Sequence, residues 1–62
     1  MDAINVVRLM KKWGDYQYNH YGDSEEVSLC DKWNQKLTDN PKYLEKLIKN
    51  PLFVRILSEA KE

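Results

Sequence analysis

The stretch Ala3-Ile4-Asn5-Val6-Val7-Arg8-Leu9-Met10-Lys11-Lys12-Trp13-Gly14-Asp15-Tyr16-Gln17-Tyr18-Asn19-His20-Tyr21 decides how this chain folds. On a wheel at ~100° per residue, Ala3, Val6, Val7, Leu9, Met10, Trp13, Tyr16, His20 and Tyr21 fall on one half. Asn5, Arg8, Lys12, Asp15 and Asn19 fall on the other, and only Ile4, Gln17 and Tyr18 lie at the edge or on the wrong side. Asp2 suits the N-cap, because its carboxylate accepts from free backbone amides and its charge complements the helix dipole. Gly22 supplies the positive-φ residue on which helices commonly end. Gly14 argues against continuity, since glycine costs about 1 kcal/mol relative to alanine inside a helix. The apolar phase is nevertheless unbroken across it, so the pattern predicts one long helix, with a break at Gly14 as the alternative.

The rest of the chain repeats the helical pattern. Asp23 to Glu26 has the form of an acidic N-cap with a glutamate three residues later. The second helix then turns Val27, Leu29, Cys30, Trp33 and Leu37 inward and Ser28, Asp31, Lys32, Gln35 and Lys36 outward. After a polar turn at Thr38-Asn40, Asn40-Pro41 starts a short third helix, proline being harmless at a first helical position whose amide needs no partner. This helix sets Tyr43, Leu44, Leu47 and Ile48 against Lys42, Glu45, Lys46 and Lys49. Asn50-Pro51 repeats the device, stops the third helix near Lys49 and begins a fourth. The fourth directs Leu52, Phe53, Val54, Ile56, Leu57 and Ala60 inward. Period-2 alternation is confined to Tyr16, Tyr18 and His20, too little for a sheet. The fold class is therefore all-α: a compact single-domain bundle of four helices over residues 1–62, long, medium and two short. Its expected core is Val6, Val7, Met10, Trp13, Val27, Cys30, Trp33, Leu37, Leu44, Leu47, Ile48, Phe53, Ile56 and Leu57.

Composition bounds the function. The chain has 62 residues, ten Lys plus Arg, ten Asp plus Glu, one His and one Cys, with a formal charge of zero. Its longest hydrocarbon run is Leu52-Phe53-Val54, whereas a spanning helix needs ~20 apolar residues; no membrane role is expected. Asp2 stands where a signal peptide carries basic residues, and a single cysteine forms no internal disulfide and suits a reducing compartment, so a cytoplasmic location is expected.

Catalysis has little to draw on. A Cys–His pair works as nucleophile and base when the imidazole favours the thiolate, but Cys30 lies on an apolar helix face where a free cysteine acts as a small hydrophobe. Structural zinc needs four Cys or His ligands. Asp23, Glu25 and Glu26 lack the spacing of a calcium loop and instead decorate a helix start. Gly14 and Gly22, the only glycines, make no phosphate loop. No catalytic, cofactor-binding or metal-binding residue is assigned, and no cofactor is expected. Nucleic acid is the alternative reading: Lys42, Lys46 and Lys49 form a stripe on the third helix, in the place where a helix-turn-helix would contact phosphate. Against it stand the neutral charge and the absence of exposed Arg, Gln or Asn on that helix to read base edges.

The densest feature is Trp13 to Tyr21, which holds Trp13, Tyr16, Tyr18 and Tyr21, more than half of the aromatic residues in the chain. Tyrosine and tryptophan dominate interaction hot spots because they bring large area with few rotors. These rings cannot all enter one small core. Ile4, Lys11 and Tyr18 recur at seven-residue steps on the otherwise polar side, a stripe suited to a partner helix or groove. The expected partner-binding residues are Ile4, Lys11, Tyr16, Tyr18 and Tyr21. The partner would be a protein, with a homodimer as a second way to cover apolar surface that a small chain leaves open. Since the sequence begins with Met and ends without a linker, a stand-alone regulator or inhibitor is the expected form.

Overall fold

The computed structural model describes residues 2–62, and it is all-helical. α1 runs Ala3–Tyr21, α2 Glu25–Asp39, a 3₁₀ turn occupies Pro41–Tyr43 and leads directly into α3 at Leu44–Leu47, and α4 spans Pro51–Ala60. The molecule measures 31 × 21 × 17 Å. No described helix is long and apolar enough to cross a membrane.

Each helix start is chemically specified. Asp2 accepts from the Ile4 amide at 3.1 Å, and Asn40 from the Lys42 amide at 3.2 Å. Asn50 accepts from both Leu52 and Phe53, at 2.9 and 3.4 Å. The cap of α2 is Ser24, whose hydroxyl accepts from the Val27 amide at 3.2 Å. This corrects the expectation of an Asp23 cap: the third helical residue is Val27, so no reciprocal capping box forms, and Glu26 is free to pair with Arg55 at 2.7 Å. At the other end of α1, Gly22 has φ 83° and its amide bonds the Tyr18 carbonyl at 2.9 Å, a backbone setting that side chains disfavour.

α1 is continuous through Gly14, which is buried. α2 runs two residues further than the polar Thr38-Asp39 pair predicts, because the Thr38 hydroxyl satisfies itself on the Asn34 carbonyl at 2.8 Å without leaving helical geometry. The third helix is split, opening as a 3₁₀ turn and completing one α-helical turn, since so short a segment closes too few hydrogen bonds to propagate.

α1 and α2 are antiparallel and approach closely where Gly14 faces Cys30. α4 lies parallel to α1, with Glu59 and Ala60 beside Lys12 to Gln17. α4 meets α2 through side chains: Phe53 packs on Trp33 edge-on, ring centroids 5.5 Å apart and 84° between planes. Val6, Met10, Trp13, Cys30, Trp33, Leu37, Leu47, Phe53, Ile56, Leu57 and Ala60 form one contiguous core. Val27 is buried outside it, at the α1–α2 turn. Lys36 places its ammonium 5.1 Å from the Tyr43 ring centre, tying α2 to the 3₁₀ turn.

Several expected core positions are not core. Ile48 is half-exposed, because α3 ends at Leu47 and the following turn carries Ile48 out of phase. Val54 is likewise exposed, since only the arc of Phe53, Ile56, Leu57 and Ala60 faces the bundle. Val7 and Leu44 are half-buried at the core margin, as are Leu29 and Leu52. Tyr16, His20 and Tyr21, on the inner half of the wheel, are all exposed, because the contiguous core takes no side chain of α1 beyond Trp13.

Candidate functional site

That last fact creates the most distinctive surface of the molecule. α1 is ~28 Å long against ~15 Å for α4, at 1.5 Å per residue, and α4 ends beside Lys12 to Gln17, so the last turn of α1 runs past α4 and the core. Tyr16 is 54% exposed, Tyr18 57% and Tyr21 75%. On the wheel Tyr16 and Tyr18 point in nearly opposite directions, with Tyr21 between them on the α2 side, so the helix end is aromatic on more than one face. Tyr16 and His20, one turn apart, stack with ring centroids 4.1 Å apart and a 31° tilt. His20 and Tyr21 stand 6.3 Å apart at 47°. Flat, rotor-poor rings pre-arranged in this way need little ordering when another surface covers them.

The structure does not unite all five residues assigned to a partner surface. Tyr16, Tyr18 and Tyr21 share the projecting end, and Lys11 lies exposed midway along α1. Ile4, 64% exposed, is ~21 Å from Tyr18 along the helix. It lines a separate apolar hollow with Val7, Leu37 and Pro41. Sequence reasoning missed His20 as a member of the aromatic surface, although its i,i+4 spacing from Tyr16 announces the stack. It also missed the charge around the rings: from Trp13 to Asp31 the chain carries Asp15, Asp23, Glu25, Glu26 and Asp31 and neither Lys nor Arg. The hairpin of α1 and α2 folds that whole stretch to one end.

Cys30 is a core residue. Burial, with the Asp31 and Glu26 carboxylates adding to it, pushes its thiol up to about 12, the opposite of what a thiolate nucleophile requires. Among the described residues no three His, Cys, Asp or Glu side chains gather as a metal site. Lys42, Lys46 and Lys49 are exposed, but they sit on the 3₁₀ turn, on α3 and in the turn after it. A four-residue α3 offers only ~6 Å of regular helix to a groove.

Compared with protein-family models, curated proteins and solved structures, the chain matches none.

Proposed function

We propose that this chain is a non-enzymatic protein-interaction module, a regulator or inhibitor that engages a larger protein through the projecting end of α1. One observation carries the reading: Tyr16, Tyr18, His20 and Tyr21 are exposed together beyond the point where the core ends. Surface tyrosines scattered singly need no explanation. Three exposed tyrosines within six residues, one of them stacked on a histidine, form the kind of anchor cluster on which interfaces concentrate their energy. The inward-turned thiol supports a binding rather than a catalytic role.

A photo-crosslinking residue placed at Tyr18, and separately at the exposed Ser58 of α4, tests this. The expected result is a discrete adduct with a larger protein from position 18 that is absent from position 58 and lost when Tyr16 and Tyr21 are replaced by alanine. Equal labelling from both positions, or an adduct indifferent to Tyr16 and Tyr21, would refute it.

A further inference from the structure

The charge around the rings identifies the chemistry of the partner. We infer that the projecting end of α1 receives an arginine-rich segment of the protein it binds. This rests on the interaction reading above and adds to it the nature of the partner surface.

In a chain of zero net charge the acidic groups gather near the rings. Asp15 lies one turn from both Tyr18 and Asn19, and Asp23 and Glu25 follow Tyr21 directly in the turn and the start of α2. Glu26 is neutralised by Arg55, which also reaches Glu59 at 3.4 Å. Asp15, Asp23 and Glu25 form no ion pair among the described residues. Lys11 and Lys12 stand one turn below Asp15, Lys12 sharing a hollow with Tyr16, Glu59 and Glu62. Lys32 shares one with Asp23 and Glu25, so lysines flank the rings while the stretch from Trp13 to Asp31 itself carries none. The positive counterpart is Lys42, Lys46 and Lys49, of which Lys42 shares a hollow with Asp2 and Ala3 at the opposite end of α1.

Exposed tyrosine faces next to unpaired carboxylates complement guanidinium specifically. The guanidinium stacks flat on a ring while its N–H groups reach carboxylate oxygens in a fork, which an ammonium cannot reproduce. A second copy is a poorer occupant. Seating its lysine end here would be a head-to-tail contact that does not close and would extend without limit, and Glu45 sits within that lysine group.

The test titrates the isotope-labelled chain with two nine-residue peptides of equal charge, one alternating arginine and serine, the other lysine and serine. Amide shifts should concentrate between Tyr16 and Glu25, and both affinities should fall with added salt. The arginine peptide should bind several-fold more tightly. Replacing Tyr16, Tyr18 and Tyr21 together by leucine should erase that preference and weaken the arginine peptide by roughly ten- to a hundredfold, at two- to fivefold per ring, with the melting temperature unchanged. Equal affinity for the two peptides would overturn the inference, as would shifts centred on Asp31, Asp39 or Glu45. Sedimentation of the chain alone showing growing oligomers would overturn it in favour of a second copy. If the arginine preference is absent while the Tyr18 crosslink persists, the partner chemistry is wrong and the interaction reading stands; loss of the crosslink dependence removes both.

Discussion

Replacing Gly14 by alanine should stabilise this protein, and the size of the gain follows from its surroundings. Gly14 sits mid-helix and is buried between α1 and α2, the arrangement in which a glycine is usually kept for want of space. Here space is available: an added Cβ would meet nothing nearer than the Cys30 Cβ at 4.0 Å, an ordinary van der Waals separation. Nor does the backbone require glycine, since Gly22 alone among the described residues has positive φ. With no strain to offset it, the helix-propensity difference contributes about 1 kcal/mol, and burying one methyl group adds up to about 0.8 kcal/mol. For a domain of this size 1 kcal/mol raises the melting temperature by about 4–8 °C. Thermal and urea unfolding followed by circular dichroism would measure it, and amide exchange from Asp15 to Asn19 should slow in parallel, because those turns hang on the same helix. A melting temperature that stays level or falls would show that the helices cannot accept the methyl group, and the reasoning from separation would fail.

Other outcomes follow from the same structure. Phe53→Ala removes a fully buried ring that meets Trp33 edge-on; at about 3–5 kcal/mol this rivals the whole net stability of so small a core, so the helical dichroism signal should collapse at 25 °C, and a cooperative melt within a few degrees of the parent would contradict it. Asn50→Ala strips α4 of both cap bonds and should lower stability by about 1 kcal/mol, read as a drop in urea midpoint. The Cys30 thiol, raised from 9.0 to about 12, should resist alkylation at pH 8 until the chain is unfolded. Because the unfolded state loses this proton first, the thiol's contribution is constant below pH 9 and falls between pH 9 and 12, by about 1.4 kcal/mol per pH unit. The parent should therefore lose stability more steeply over that range than Cys30→Ala, and parallel curves would refute the assignment.

Among the described residues, the number and order of the helices were legible in the sequence, as was most of the core. Both depend on local chemistry: the 3.6-residue phase that survives Gly14, the caps at Asp2, Asn40 and Asn50, and the prolines that follow two of them. Ser24 was misread only because two capping residue types stand side by side. Burial at the margins was a different matter. Periodicity says which side of a helix is apolar but not how far along the axis a neighbour covers it. Only the packing of α4 beside α1 determines that the core stops at Trp13, and only the early end of α3 leaves Ile48 outside. Tyr16, Tyr18 and Tyr21 could thus be singled out by composition, and the spacing of His20 and the acidic run are written in the chain, whereas the exposure of the rings and the placement of Ile4 in a separate hollow come from the tertiary structure. The difference in helix lengths and the antiparallel hairpin create that end of the molecule, and neither is written in any one helix.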